Sequence, residues 1–262
     1  MAQAKLSDRD YAESKHQYTH PLLRRRVASV TSIVSAFDSG DKLGRGAMAA
    51  AKLERQGINY REEWNAKRDI GTRVHSYAHL WADGKTAEVP DEDGPWMDSF
   101  AAWCREVAPE WILTEAAGVG STICLGCAGE GCGVCLGTGT LGFGGRFDAV
   151  GWWRDFFYLG DLKTGKSYRP ELTIQLAGYA NFDGLIIYDE DGRAVDLAPM
   201  PHLDRWCGIY IHADSCEMVE CPDPAKACDD WTIEQMQAEA FQTFRSLLYV
   251  KEWAKQVNRK GR

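Results

Sequence analysis

Apolar and polar positions alternate along this chain in blocks, some at the period of a helix and some at the period of a strand. From Arg61 to Trp81, Trp64, Val74, Ala78 and Trp81 fall near one face of a 3.6-residue repeat, which predicts a helix with Gly71 as its weak point. Asp98 to Val107 predicts a second helix, and Glu171 to Phe182 a third, with Leu172, Leu176 and Tyr179 three and four apart. Thr232 followed by Gln235 is a capping-box signal and opens a C-terminal helix over residues 231–257. Strands are expected at "EWILTEAAGV", "GRFDAVGWW", "FFYLGDLKT", "LIIYDEDGRAVDL" with a turn at Asp191-Gly192, and "WCGIYIHA". Residues 1 to 25 read as polar and loosely ordered, "RRVASVTSIVSAF" as an extended piece entering a short helix, and "ADGKTAEVPDEDGP" as a loop. With no repeat and no linker, the pattern is one α/β domain over residues 1–262.

The two aromatic-rich strands flank Arg154-Asp155, and their spacing makes them a hairpin. Asp148 lies six positions before Arg154, and Asp161 six after Asp155. A tight turn there sets the two carboxylates opposite each other, with Cβ atoms about 5 Å apart. Lys163, two residues beyond Asp161, falls on the same face. Opposed carboxylates repel unless something neutralises them, and a divalent cation that accepts oxygen ligands does so. The same three residues also suit a surface salt bridge, and their spacing alone leaves both readings open.

Composition narrows the setting. The chain has 262 residues, 45% of them hydrophobic and 26% charged, an ordinary globular balance. "MAQAKLSDRDYAESKHQ" carries no apolar signal region and no segment is long enough to span a membrane, so a cytoplasmic protein is expected. The net charge of −8 runs against a broadly basic nucleic-acid surface. Basic residues do cluster at Arg24, Arg25 and Arg26, and at Lys251, Lys255, Arg259, Lys260 and Arg262.

Four of the nine cysteines carry a separate message. "CLGCAGEGCGVCLGTG", residues 124–139, holds two copies of C-x-x-C-x-G-x-G, and Cys124, Cys127, Cys132 and Cys135 form a four-thiolate set for structural Zn²⁺. Its glycines permit the tight turns such a site needs. The repeat resembles the cysteine-rich region of DnaJ chaperones, cut to two copies and one zinc. Placed between two strands, the loop is expected to project from the rim of the acidic hairpin, either as a staple or as a clamp on a ligand. The spacing of Cys207, Cys216, Cys221 and Cys228 does not match an iron–sulfur cluster.

The order of motifs resembles a known family. "GTRVH", Glu115 in "ILTEAAG", "GRFDAV", "DLKTGK" and "QLAGY" are similar to the motif series of RecB-type nucleases in the PD-(D/E)XK superfamily, over about Ser29 to Tyr179. With "SVTSI", they most resemble phage-encoded nucleases similar to the CRISPR-associated Cas-four proteins. Phe147 stands where the superfamily's eponymous proline would be. The resemblance implies a central mixed β-sheet flanked by helices, with the zinc knuckle as an insertion. It implies that His75, Asp148, Asp161 and the Leu162 carbonyl hold catalytic Mg²⁺ or Mn²⁺, and that Lys163 is the catalytic lysine. Gln175 and Tyr179 would brace the site or touch DNA, and Glu115 would hold a metal-bound water. His79, one turn after His75, reads as a packed helix histidine more readily than as a ligand.

The implied activity is metal-dependent hydrolysis of DNA phosphodiesters, as an exonuclease of phage recombination, replication or repair. DNA is the implied partner, beside a single-strand-annealing recombinase, with no membrane and with the oligomeric state open. The competing reading is a non-catalytic module that binds protein or nucleic acid through the zinc knuckle and carries a vestigial site. The intact Asp148, Asp161 and Lys163 favour the enzyme.

Overall fold

The computed structural model describes residue 9 and residues 15–37, 42–165, 170–224 and 231–260. In chain order these form β1 (Tyr18–His20), β2 (Arg25–Ser29), α1 (Val30–Val34), α2 (Lys42–Arg55), α3 (Tyr60–Ala82), α4 (Gly94–Val107), β3 (Glu110–Ile123), β4 (Thr140–Trp153) and β5 (Phe156–Lys163). There follow α5 (Pro170–Ala180), β6 (Gly184–Tyr188), β7 (Ala194–Ala198), β8 (Arg205–Ile211), β9 (Cys216–Glu220) and α6 (Ile233–Lys260).

The described strands make one mixed sheet in the order β7-β6-β3-β4-β5-β8-β9, with β2 beside β4 and β1 outside β2. The β5–β8 and β2–β4 pairs are parallel and the others antiparallel. Helices cover both faces, because strands buried on two sides must shed their apolar surface into two layers. On one side α1, α5 and α6 bring Val30, Ile33, Leu176, Tyr179, Phe244 and Leu248 onto Phe143, Phe147 and Leu159. On the other, α3 and α4 bring Val74, Ala78, Met97, Phe100 and Trp103 onto Trp153, Leu162, Ile209 and Ile211. Each such side chain contributes about 1.5–3 kcal/mol by leaving water.

One irregularity positions the site. β4 pairs with β5 from Trp153↔Phe156 to Ala149↔Gly160, and the same edge of β4 then pairs with β2 at Phe143 and Gly144. Between Gly145 and Asp148 that edge carries no strand partner among the described pairs, so the sheet opens there as a fork. Gly145 faces into the opening, where Tyr179 of α5 comes so close that a Cβ would lie 2.6 Å from its ring.

Several expectations change. Tyr18–His20 is a strand rather than loose chain, with His20 buried against Asp183, Nε2 to Oδ2 at 3.2 Å, whereas Arg25–Ser29 is the extended piece expected before a short helix. α2, Lys42–Arg55, has no counterpart in the periodicity above. Trp64 and Trp81 do not share the buried face of α3: Val74 and Ala78 are buried, whereas both tryptophans stand about half exposed. The C-terminal helix runs to Lys260, with the capping box formed as expected: Thr232 N donates to Gln235 Oε1 at 2.8 Å, and Gln235 N to Thr232 Oγ1 at 3.3 Å.

Candidate metal centre

α3 carries two of the site's side chains. Asn59 caps it by accepting from Arg61 N at 3.0 Å and Glu62 N at 3.4 Å, and Glu62 and Glu63 in the first turn suit the positive end of its dipole. Gly71 lets the helix lie close on the sheet, since a Cβ there would sit 2.8 Å from Thr164 Oγ1 at the end of β5. One turn further on, His75 and His79 hang over the fork.

Asp148 fills the fork from the strand side. Its Oδ2 accepts from Leu162 N at 2.7 Å, replacing the ladder bond that β4 would have supplied. Its other contacts are the histidines: His75 Nδ1 lies 3.9 Å from Oδ2 and His79 Nε2 3.7 Å from Oδ1. These distances are too long for hydrogen bonds. They lie between the roughly 3.0 Å and 4.2 Å that separate adjacent and opposite ligands around a cation at about 2.1 Å. His79 Nε2 is buried with no hydrogen-bond partner, the mark of a donor set shaped for something held between its members. His75, His79 and Asp148 place one ligand atom each within 4.8 Å of one another and can together hold a metal ion.

The electrostatics treat the two histidines differently. Burial pushes the His75 pKa down, favouring the neutral imidazole that binds metals. Burial opposes charge on His79 as well, but Asp148 and Glu115 outweigh it and hold its pKa above the ordinary value. Asp148 stays below the usual carboxylate range despite its burial, because His79, His75 and Lys163 surround it with positive charge.

Asp161 takes a different set of partners. It forms an ion pair with Lys163, and Gln175 Nε2 donates to its Oδ1 at 2.8 Å. Gln175 also donates to Tyr179 Oη at 3.1 Å, so α5 braces the carboxylate from the layer opposite α3. Burial pushes the Asp161 carboxyl up to about 6, against the pull of Lys163 and helped by repulsion from Asp148. Lys163 stays protonated: burial disfavours its charge, and Asp161 and Asp148 more than restore it.

Glu115 completes the group from β3. Its φ of 47° lies in the left-handed region, unusual for a non-glycine residue within a strand. Its Oε1 sits 3.5 Å from His79 Nε2, and its Oε2 3.8 Å from Arg146. Strain of this kind collects at functional sites.

All the expected side chains therefore meet at the fork, with a changed division of labour. His79, read from sequence as a packed helix histidine, stands with His75 and Asp148. Asp161, expected as a ligand, is engaged by Lys163 and Gln175. Leu162 enters through its N–H. The signal for His79 was present in the H-x-x-x-H spacing, which places both rings on one helix face.

The cysteine loop forms a second group able to hold a metal ion. Cys124, Cys127, Cys132 and Cys135 lie together, with Sγ–Sγ distances of 3.8, 3.7 and 3.8 Å for the 124–132, 127–135 and 132–135 pairs. A thiolate tetrahedron about 2.3 Å from zinc has edges of about 3.8 Å, and a disulfide would need about 2.05 Å. The amides of Gly131 and Cys132 donate to the sulfurs of Cys127 and Cys135 at 3.2 and 3.1 Å. The two halves interlock: a Cβ on Gly139 would strike the Gly129 carbonyl, and one on Gly131 the Gly137 carbonyl. The loop does not project from the rim of the site. Thr140, where it re-enters the sheet, is eight residues along β4 from Asp148, about 26 Å at the usual rise. Cys124 and Cys135 are buried in the α6 core, and Tyr249 packs on Gly126.

Cys207 and Cys221 are buried, and burial raises both thiols, that of Cys221 to about 12. Cys104 and Cys216 behave likewise, each pushed up to about 12. Such thiols are inert. Cys228 lies outside the described residues.

The sequence matches no protein-family model and no curated protein. Among solved structures, one described as "Crystal structure of SSO0001" is similar at 12% identity and a TM-score of 0.36, over 86% of this chain and 76% of that one. Similarity at that level carries no argument about function. No described helix is long and apolar enough to cross a membrane.

Proposed function

We propose that the fork is the active site of a metal-dependent DNA nuclease that hydrolyses phosphodiester bonds, working as an exonuclease on a PD-(D/E)XK scaffold. The observation that carries the reading is the junction of two groups in one opening: the His75, His79 and Asp148 set, and the Asp161–Lys163 pair beside it. A salt bridge alone would not account for His79, whose Nε2 is buried with no hydrogen-bond partner. A divalent cation would supply charge neutralisation at the phosphate and a more acidic water. His75, His79 and Asp148 would hold it, and two imidazoles beside one carboxylate suit Mn²⁺ better than Mg²⁺.

The chain's own groups define the rest. Lys163, kept as an ammonium by Asp161, faces the position where negative charge develops on the phosphate oxygens and stabilises it. Gln175 and Tyr179 fix Asp161, and through it Lys163. Glu115, beside His79 and Arg146, orients water on the β3 side. The four-cysteine loop serves as a structural zinc staple behind α6.

The test is digestion of end-labelled linear and closed circular DNA with Mn²⁺ or Mg²⁺, comparing the protein with its Lys163→Ala variant. Shortening of linear DNA from an end, survival of circles and loss of cleavage in the variant are expected. Absence of cleavage with either metal, or a fully active variant, overturns the assignment.

A further inference from the structure

A groove of about 1030 Å³ opens beside the fork, and the nuclease reading does not use it. Trp64, Lys67 and Arg68 of α3 line one side, Trp96 of α4 and His212 the other, and Thr164, next to Lys163, closes the end nearest the site. Trp64 is 57% exposed, with the Tyr60 ring 5.7 Å away supporting it. Trp96 is half-buried, seated on the α3–α4 core. Two indoles presented to a groove expose apolar surface that folding would otherwise bury. Lys67 and Arg68 are 70% and 65% exposed, paired with Glu63 at 2.9 Å and Asp69 at 3.4 Å. Such surface pairs are weak, and phosphate can displace the carboxylates. Asp214 places one acid on the far wall.

We propose that this groove binds single-stranded DNA leading into the fork, with bases stacked on Trp64 and Trp96 and phosphates on Lys67 and Arg68. This rests on, and deepens, the nuclease reading. The physical reason is the ring face. A duplex keeps its base faces stacked inside, so an indole finds a base to stack on only where the strand is unpaired. The groove lies in line with the site: Trp64, Arg68, Gly71, His75 and His79 follow one another at four, three, four and four residues on one face of α3. Trp64 precedes His75 by eleven residues, about 16 Å along the helix axis. At about 3.4 Å per stacked nucleotide, some five nucleotides bridge that distance.

The experiment measures binding with no divalent cation added, so that cleavage plays no part. Fluorescence anisotropy follows a labelled 20-nucleotide oligothymidine, shorter oligothymidines and a blunt 20-base-pair duplex on the full chain and on Trp64→Ala, Trp64→Phe and Trp96→Ala. The single strand should bind more tightly than the duplex, and affinity should rise with length to roughly five nucleotides and then level off. Each alanine variant should lose about tenfold on the single strand, and Trp64→Phe much less, with duplex binding unchanged. Duplex binding as tight as single-strand binding, or an equal loss on both, overturns the proposal. So does Trp64→Ala without effect; the exposed Trp64 supports no core whose collapse would confuse the result. If neither Mg²⁺ nor Mn²⁺ supports cleavage while binding follows the tryptophans, the nuclease reading fails and the strand groove stands. If linear DNA is cleaved but binding ignores them, the reverse holds.

Discussion

Glu115 and Asp148 face each other across the β3–β4 ladder, bracketed by the Thr114↔Ala149 and Ala116↔Phe147 pairs, and His79 Nε2 reaches both carboxylates, at 3.5 and 3.7 Å. A single imidazole thus joins two strands to α3. The imidazole stands between the two carboxylates.

His79 should accordingly be as necessary for metal as His75. His79→Ala is expected to weaken Mn²⁺ binding by about tenfold or more, as loss of one ligand of three would. Calorimetric titration of Mn²⁺ into the DNA-free protein measures it, and an unchanged affinity would return His79 to a packing role.

Lys163 and Asp161 are coupled, and removing the ammonium alone leaves a buried carboxylate uncompensated. Lys163→Met should cost on the order of 2 kcal/mol, less than a fully buried pair because the lysine is partly exposed. Adding Asp161→Asn should restore much of the melting temperature while cleavage stays lost. A double variant no more stable than the single one would show that the pair does not set the cost.

At Glu115 stability and function should part company. Glycine adopts the left-handed conformation without a Cβ penalty, so Glu115→Gly should leave thermal stability unchanged or raise it by about 1 kcal/mol. Cleavage should fall. A clear drop in melting temperature would mean that the side chain's contacts outweigh the strain.

The four-cysteine loop should carry about one zinc per chain, measurable by atomic absorption. Because Cys124 and Cys135 sit in the core, stripping the metal or substituting Cys132→Ser should destabilise the protein by several kcal/mol. Protein without zinc that melts at the same temperature would refute the staple.

Asp183 gives the pH dependence a sign. Burial disfavours its charge, but His20 and Ser121 more than compensate and hold its pKa below the ordinary value, with Ser121 Oγ donating to Oδ2 at 2.7 Å. A depressed carboxyl stabilises the fold above its unfolded pKa of about 3.9, and that stability is lost as pH falls through the folded value. Asp183→Asn should therefore flatten the acid limb of a urea-midpoint profile. An unaltered slope below pH 4 would locate the acid sensitivity elsewhere.

What the sequence made legible was local. The Arg154-Asp155 turn fixed the hairpin register by counting, and Ala149↔Gly160 to Trp153↔Phe156 follow it. The cysteine spacing and the Thr232–Gln235 cap needed nothing beyond nearest neighbours. The fork needed more: periodicity cannot report that β4 changes partners part-way along one edge, or that Asp148 turns to α3 while Asp161 turns to α5. Trp64 and Trp81 were misplaced for a related reason, since an apolar residue on a helix says nothing of whether a surface awaits it. β1 was missed because three residues are too few to show a period, and β2, expected as extended chain, gave no sign that its partner lies as far off as Phe143.

That distant pairing has a kinetic side. Ala28 meets Phe143, so the bond between β2 and β4 closes a loop of about 115 residues (143 − 28), whereas the β4–β5 hairpin closes over two. Contacts of such long range form slowly. The hairpin holding Asp148 and Asp161 can assemble early, while the strand that completes the opposite arm of the fork arrives late. The hairpin thus brings Asp148 and Asp161 together through local contacts, independently of the distant strand that closes the fork.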